Sequence, residues 1–292
     1  MSGSPKDKAG GDIRRIAIAG CGLIGGSIAL AARARWPERT IVVIDKAPVA
    51  ARAKAAGIAD EAGESLALAS DAELVVLAAP VLQNVGLLRE LPAYVTRPVL
   101  VTDTGSTKRA MDVAARDMPA HITFIGGHPF AGDSRGGLES ARADLFQGHP
   151  WALTASDDAG VGAVEAFVRG LGATPYRISP GEHDRIAAAV SHLPQLVATA
   201  LMDVVGSAAG EEGLKLAGAG LLDTTRLASS PAGIWRDIAR TNADEISALI
   251  DAIVATLTAM RASLAADDDV LERIFASAAR WREALLRVSR RS

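Results

Sequence analysis

The chain has 292 residues, of which 49% are apolar and 22% charged, and its formal net charge is −3. This balance is typical of a soluble globular protein and excludes binding to nucleic acid or to an anionic membrane through bulk charge. The longest apolar run, 74–82, is too short to span a bilayer, and the single cysteine, Cys21, excludes an intrachain disulfide. Residues 1–12 are polar and lack the apolar stretch of a signal peptide, so we expect a cytoplasmic protein with a disordered tail over 1–12.

Between residues 13 and 179, short apolar runs alternate with amphipathic segments. Runs this short and rich in Val, Ile and Leu are typical of strands buried on both faces of a parallel sheet. The alternation of strands and helices predicts a doubly wound α/β domain. The predicted strands cover 15–20, 41–45, 74–80, 99–103, 122–127, 150–154 and 175–179, and the predicted helices between them include 25–35, 48–56 and 159–171.

After residue 179 the strand pattern ends and helical periodicity takes over. Ser179, Pro180 and Glu182 have the spacing of a capping box and predict the start of a long helix that reaches about residue 206. Pro194 lies inside this helix and predicts a kink there. We therefore predict a second, all-α domain over 180–292, with further helices at 210–217, 231–240, 242–265 and 268–288.

The first predicted strand runs into the glycine-rich sequence GCGLIGGS at residues 20–27. In a GxGxxG turn, Gly20 permits the tight turn, Gly22 lets a pyrophosphate approach the backbone, and Gly25 lets the helix pack on its strand. The first turn of the following helix offers N–H groups to the phosphate. The cofactor-binding residues predicted by this loop are Gly20, Gly22, Leu23, Ile24 and Gly25.

An acidic residue follows the second predicted strand at the position that the cofactor requires. Asp45 lies 20 residues after Gly25, where a carboxylate would accept hydrogen bonds from the ribose hydroxyls and repel a 2′-phosphate. Lys46 is its neighbour and could act in the opposite direction. The sequence therefore predicts a Rossmann-type domain over 13–179 that binds NAD in preference to NADP.

Three later strands end in polar or glycine-bearing motifs. Pro80 ends the third run, residues 102–108 read TDTGSTK, and residues 126–132 read GGHPFAG. Ligands of an open α/β sheet lie beyond the carboxyl ends of its strands, so these motifs should face the nicotinamide end of the cofactor. The spacing of the histidines and acids matches no metal-ligand motif, so no metal site is predicted.

Together, these motifs resemble the prephenate/arogenate dehydrogenase family over residues 13 to about 265. The matching stretches are GCGLIGGS, TDTGSTK, GGHPFAGD followed by ESARADLFQGHPWALT, EHDRIAAAVSHLP and DTTRLASSPAGIWRDIARTN. The resemblance implies a homodimer built by the helical domain and NAD-dependent oxidative decarboxylation of prephenate in tyrosine biosynthesis. Arogenate, or both substrates, is the alternative within the family. A non-catalytic NAD-binding regulator is the alternative of another class.

The resemblance also implies roles for individual residues. His128 matches the catalytic histidine, which accepts the proton of the substrate 4-hydroxyl, and Ser106 matches the serine that orients this hydroxyl. His192 matches a histidine that lines the substrate and nicotinamide region. Arg226 matches the arginine that holds the side-chain carboxylate, and Trp235 matches a tryptophan of the substrate pocket.

The sequence departs from the family pattern at two positions. Gln195 replaces the last histidine of an SHLPH motif. Ser134, beside Asp133, replaces a glutamate that in some members pairs with the residue at Asp223 to gate the pocket. No residue decides between prephenate and arogenate, which differ at one side-chain carbon.

Overall fold

A computed structural model describes residues 13–133, 135–154, 160–266 and 268–289, and within them eight strands form one sheet. Seven strands lie where the apolar runs predicted them. The short β3 was missed because its residues, Glu-Ala-Gly, contain no apolar run. The tail predicted over residues 1–12 lies outside the described residues. The strands are β1 (Arg15–Ala19), β2 (Thr40–Ile44), β3 (Glu61–Gly63), β4 (Leu74–Leu77), β5 (Val99–Asp103), β6 (Ile122–Pro129), β7 (Pro150–Thr154) and β8 (Thr174–Arg177).

The sheet has the strand order β3-β2-β1-β4-β5-β6-β7-β8. Strands β1 to β6 are parallel, whereas β7 runs antiparallel to β6 and β8 runs parallel to β7. The order reverses between β1 and β4, which is the switch point where open α/β sheets bind their ligands. The predicted doubly wound α/β class is confirmed.

Both faces of the sheet are covered, and β1 shows how the sequence achieves this. Successive side chains of a strand point to opposite faces, so Ile16 and Ile18 join one apolar cluster and Ala17 and Ala19 the other. Each large aliphatic side chain buried in this way contributes roughly 1.5–3 kcal/mol. The covering helices are α1 (Leu23–Arg35), α2 (Ala47–Ala55), α3 (Val81–Glu90), α4 (Arg109–Ala115) and α5 (Val161–Gly170).

The long helix after the sheet begins where the capping box predicts. The Ser179 hydroxyl accepts a hydrogen bond of 3.3 Å from the Glu182 amide and caps α6 (Pro180–Ala187). A π turn (Ala188–His192) joins α6 to α7 (Leu193–Leu214). Pro194 has no N–H for the ordinary bond to the fourth residue before it, and the wider turn accommodates this missing donor.

The helix predicted over 210–217 is found in part. Gly210, with a φ of 61°, breaks α7, and the helical segment that follows this break ends at Leu214. The next helix, α8 (Ala219–Thr225), starts only after Gly218. The helix predicted at 231–240 is confirmed as α9 (Ala232–Thr241).

Two compact units make up the chain, the first ending at Asn242 and the second starting at Ala243. Helices α6 to α9 thus belong to the same unit as the sheet. The second unit contains α10 (Ala243–Ser263) and α11 (Val270–Ser289). The domain boundary predicted at 179/180 stays a prediction; it coincides with the change from sheet to helices.

The helices after the sheet expose large apolar side chains in the single chain. Val254 and Leu257 of α10 are more than half exposed, as are Phe275 and Trp281 of α11. By length and composition alone, two stretches could cross a membrane, Pro180–Leu214 and Ala243–Ser263, with mean hydropathies of 1.3 and 1.4. The sequence analysis predicts no membrane-spanning helix, because it finds no apolar run long enough to span a bilayer. Core or interface helices of soluble proteins have the same composition.

Candidate active site

The glycine loop after β1 has the geometry that a bound dinucleotide requires. Gly20 has a φ of 97°, and a Cβ there would lie 2.7 Å from the Ala78 backbone. A Cβ on Gly25 would lie 1.9 Å from the Gly20 carbonyl oxygen. At Gly22, in contrast, a Cβ would meet no protein atom within 4 Å. The loop is therefore closed on the protein side and open at Gly22, where α1 begins without a side-chain cap.

Asp45 lies directly beside this loop. Its carboxylate accepts hydrogen bonds from the amides of Cys21, at 2.6 Å, and Lys46, at 2.7 Å. These contacts hold a carboxylate at the end of β2, next to the phosphate-binding turn. The position fits a carboxylate that recognises the ribose hydroxyls of NAD.

A cavity of about 370 Å³ extends from the glycine loop along the carboxyl ends of the strands. Its volume lies in the range of small-molecule sites. Six of the predicted site residues line it together, so the strand ends and α9 converge as the sequence analysis requires. They are Gly22, Leu23, Ile24, Pro80, Ser106 and Trp235. Asp133 also lines the cavity, whereas Ser134 lies outside the described residues.

His128 lies near the end of β6 and is 8% exposed. Its ring packs against Phe130, with 4.4 Å between the ring centroids. Burial lowers the pKa of His128 well below 6.5, and the nearby His183, Lys108 and His192 lower it further. The imidazole is therefore neutral at neutral pH, which is the state that a base requires.

A buried chain of hydrogen bonds leads away from His128. Its Nδ1 lies 2.9 Å from Nε2 of His183, and His183 Nδ1 lies 2.8 Å from Asp184 Oδ1. Asp184 also accepts hydrogen bonds from the amides of Lys108, at 2.7 Å, and Arg109, at 3.0 Å. Burial raises the pKa of Asp184, but the hydrogen bond from His183 and those from the two amides outweigh this effect and hold it below its ordinary value. Asp184 is therefore ionised.

The ring of His192 is held by Asn242. Arg109 Nη2 donates to Asn242 Oδ1 at 2.7 Å, and since a guanidinium only donates, this contact identifies the amide oxygen. The Asn242 NH2 group then donates to the Asp184 carbonyl, at 2.8 Å, and to His192 Nδ1, at 3.3 Å. Burial lowers the pKa of His192 to about 4, so its neutral ring carries the proton on Nε2. His192 is thus a hydrogen-bond donor, not a base.

A fully buried ion pair joins the ends of β5 and β6. The Lys108 ammonium donates to the Asp103 carboxylate and to the Gly127 carbonyl, the latter at 2.7 Å. Asp103 in turn accepts from the amides of Gly105, at 2.8 Å, and Gly127, at 3.0 Å. Burial lowers the pKa of Lys108, and Asp103 opposes this. Losing either partner of such a pair costs about 3–5 kcal/mol, so the pair fixes the two strand ends firmly.

Comparison with known proteins identifies the family. The family model of the prephenate dehydrogenase nucleotide-binding domain matches residues 28–176, and that of the prephenate dehydrogenase dimerization domain matches residues 179–277. The chain belongs to the prephenate dehydrogenase family. This confirms the resemblance on which the sequence analysis relied.

Similar proteins cover nearly the whole chain. It is 34% identical over 280 residues to the prephenate dehydrogenase of Bacillus subtilis (strain 168), with 92% of this chain and 76% of the relative covered. It is 30% identical to the cyclohexadienyl dehydrogenase of Zymomonas mobilis, with 93% and 96% covered. The crystal structure of A. aeolicus prephenate dehydrogenase in complex with hydroxyphenyl propionate and NAD+ has a TM-score of 0.85 and 28% identity, with 94% and 99% covered.

Six predicted site residues are not in the lining of this cavity: Gly20, Gly25, Asp45, His128, His192 and Arg226. Of these, Arg226 is the one that the structure leaves exposed. In this member of the prephenate dehydrogenase family it is exposed and starts a 3-10 turn, Arg226–Ser229. Within the described residues, its side chain makes no ion pair, with Asp223 or with any other acid. Its role as the carboxylate anchor stays a prediction, as do the roles of the other site residues.

Gln195 connects two parts of the helical region in this prephenate dehydrogenase family member. Its side-chain amide donates to the Leu227 carbonyl at 2.8 Å, and its oxygen accepts from the Ser230 hydroxyl at 3.2 Å. Ser230 lines the cavity. The departure from SHLPH therefore replaces a ring by a buried amide that secures the segment before α9.

The residues that hold the two histidines in place, three of them buried and Arg109 partly exposed, are functional candidates to which the sequence analysis gave no role. They are His183, Asp184, Arg109 and Asn242. His183 and Asp184 lie in the matching stretch that begins with EHD, but no local pattern placed them behind His128. No group of three or more His, Cys, Asp or Glu in the described part of the chain is arranged to hold a metal ion.

Proposed function

We propose that the protein is an NAD-dependent prephenate dehydrogenase that forms 4-hydroxyphenylpyruvate, CO2 and NADH in tyrosine biosynthesis. The observation that carries this proposal is that one cavity is lined by the glycine loop, by Pro80 and Ser106 at the strand ends, and by Trp235 of α9. Membership of the prephenate dehydrogenase family supports the same reaction.

The residues present fit NAD. The open face at Gly22 leaves room for a pyrophosphate, the uncapped start of α1 offers amides to it, and Asp45 stands where ribose hydroxyls would lie. When bound, NAD supplies the acceptor for the hydride that leaves C4 of the substrate. Ser106 and Trp235 line the cavity and would enclose the cyclohexadiene ring.

The chain's own residues move one proton. As hydride leaves C4, the 4-hydroxyl must lose its proton, and neutral His128 accepts it. Loss of the ring carboxylate as CO2 then leaves a phenolate, to which the protonated His128 returns the proton. Ser106 orients the hydroxyl, and the Nε2–H group of His192 donates to an oxygen in the same region. Aromatisation and loss of CO2 supply the driving force.

Turnover of defined substrates tests the proposal. Mixing the protein with NAD and prephenate should increase absorbance at 340 nm, and arogenate in its place should give a lower rate or none. A higher rate with arogenate would mean that arogenate, and not prephenate, is the preferred substrate. This outcome is compatible with the relative named cyclohexadienyl dehydrogenase. Tight NAD binding with no turnover of either compound would favour the non-catalytic regulator.

The cofactor preference should follow from Asp45. We expect kcat/KM to be higher with NAD than with NADP, because the carboxylate next to the glycine loop repels a 2′-phosphate. Replacing Asp45 with Ala should shift the NADP-to-NAD ratio of kcat/KM upward by at least about tenfold. Asp71→Ala is the matched control, since this exposed acid precedes β4 at the opposite edge of the sheet. Equal turnover of both cofactors by the wild type would contradict the prediction.

We infer that the chain forms an obligate homodimer through residues 180–292. The exposed apolar side chains of this region need a second surface to bury them, and the matched family model is a dimerization domain. Sedimentation at low micromolar concentration should give about twice the monomer mass. A stable monomer at that concentration would contradict the prediction.

The same burial accounts for the two apolar helices. In a dimer, Pro180–Leu214 and Ala243–Ser263 pack against protein and not lipid, and we propose a cytoplasmic enzyme whose ligands are small molecules. The protein should stay in the supernatant when a lysate is centrifuged to pellet membranes. Recovery in the membrane pellet, released only by detergent, would contradict this proposal.

A further inference from the structure

The hydrogen bonds behind His128 have a direction that the chemistry of their end groups determines. The hydrogen bonds run from His128 through His183 to Asp184, and the side chains of His183 and Asp184 are completely buried. An ionised carboxylate only accepts hydrogen bonds, so His183 Nδ1 is the donor to Asp184. A neutral imidazole that donates from Nδ1 has a lone pair and no proton on its other ring nitrogen, Nε2.

This direction fixes the tautomer of His128. Because His183 Nε2 accepts, His128 Nδ1 must donate across the 2.9 Å contact. The proton of neutral His128 therefore lies on Nδ1, and the lone pair lies on Nε2. His192, whose Nδ1 accepts from Asn242, has its proton on Nε2, so the two histidines have opposite tautomers.

We propose that His183 is a positioning residue for the reaction: it holds the Nδ1–H group of His128 so that Nε2 is the proton acceptor, and Asp184 fixes His183 in turn. This inference rests on the proposed function. When Nε2 accepts the substrate proton, the new positive charge of His128 is stabilised through His183 by the Asp184 carboxylate. The logic is that of an acid behind a catalytic histidine, here with a second imidazole between them.

Asp184 also connects these hydrogen bonds to the loop that carries Ser106. It accepts from the amides of Lys108 and Arg109 at the start of α4, and from Arg109 Nε at 3.2 Å. Removing Asp184 would disturb the loop and the histidines together. Removing His183 leaves these contacts of Asp184 in place, so His183 is the informative position to change.

Two substitutions of His183 separate positioning from structure. His183→Leu keeps an apolar side chain but removes the acceptor for His128 Nδ1, and should lower kcat at least about tenfold while KM for NAD changes little. His183→Gln keeps an acceptor oxygen and should recover most of the lost kcat. His149→Gln is the matched control, because His149 is exposed. Equal kcat in the Leu and Gln variants, or a kcat of His183→Leu close to that of the wild type, would overturn the proposal.

The pH profile gives a second readout. The titratable and charged groups around His128 are His183 and Asp184 from α6, Asp103 from the end of β5, Lys108 from the start of α4, and His192 from the π turn. Loss of the acceptor at His183 should shift the acidic limb of kcat/KM, because the pKa of His128 depends on the group that faces its Nδ1. Gln should restore the wild-type limb. A limb that stays unchanged in His183→Leu would contradict the positioning role.

Nitrogen NMR reads the tautomer without any turnover. The chain has 5 histidines, so 15N-histidine labelling of the wild-type protein with NAD gives few signals, and His128→Asn identifies those of His128. Near neutral pH we expect Nδ1 protonated and Nε2 unprotonated in the wild type, and a mixture of both in His183→Leu. A proton on Nε2 in the wild type would overturn the proposal. Because no substrate is present, this outcome is independent of whether prephenate is the substrate.

Discussion

Replacing His128 with Asn should lower kcat for prephenate by about 10²- to 10⁴-fold, the range expected for loss of a general base. Asn keeps a similar volume and can hydrogen-bond to His183, but it accepts no proton. NAD affinity should remain close to wild type, because the glycine loop and Asp45 are untouched. Steady-state kinetics and NAD titration of the same preparation check both statements.

The pH dependence of the wild type should agree with this role. A base acts while it is unprotonated, and burial lowers the pKa of His128 well below 6.5. The acidic limb of kcat/KM should therefore appear only below the pH at which an ordinary histidine titrates, and activity should be retained as the pH falls from 7.5 through 6.5. A limb centred at the ordinary histidine pKa would contradict the burial that the structure shows.

His149→Asn is the control for the loss of a histidine as such, since His149 is exposed. If His128→Asn retained more than about a tenth of the wild-type kcat, the base would lie elsewhere. His192 does not fill this position, because Asn242 donates to its Nδ1 and leaves the proton on Nε2. The chain would then need a base outside the buried network.

The fold was predictable because its determinants are local. The apolar run of β1, the glycine loop and the start of α1 are adjacent in sequence, and each constrains the next. Errors occurred where local patterns are weak. The three-residue β3 is an edge strand without an apolar run, and the helix predicted over 210–217 follows the break at Gly210 but already ends at Leu214.

The site was predictable only at positions that the strand ends determine. Ser106 follows β5 and His128 lies near the end of the adjacent parallel strand β6, so topology brings them to the same edge of the sheet. The contact between His128 and His183 joins residues 55 apart, and that between His192 and Asn242 joins residues 50 apart. These contacts depend on how α6 and α9 pack beside the sheet, which no short sequence pattern specifies.

Replacing Arg226 with Ala should raise KM for prephenate by tens-fold or more and leave KM for NAD nearly constant. The prediction treats Arg226 as the anchor of the side-chain carboxylate. A desolvated arginine–carboxylate contact costs on the order of 2–5 kcal/mol when one partner is removed, whereas an exposed ion pair contributes under about 1 kcal/mol. Lys should recover only part of the loss, because it lacks the planar guanidinium.

Arg226 is exposed in the single chain, so the predicted rise in KM requires that something covers its guanidinium when the substrate is bound. A guanidinium in water gives little binding energy, so a large effect requires the bound substrate or the second subunit to cover it. Arg89→Ala is the matched control, since Arg89 is an exposed arginine in the last turn of α3. It should leave both KM values unchanged.

Mixed dimers decide which subunit the arginine serves. A dimer of one His128→Asn subunit and one Arg226→Ala subunit contains an intact site only if Arg226 reaches across to the other subunit. Arg226 does not line the cavity of its own chain, so we expect mixing the two variants to restore turnover at prephenate concentrations well below the raised KM of Arg226→Ala. No recovery, with a raised KM in Arg226→Ala alone, would place the arginine in its own subunit's site. An equal rise of both KM values in Arg226→Ala, or no rise in either, would mean that another residue holds the carboxylate.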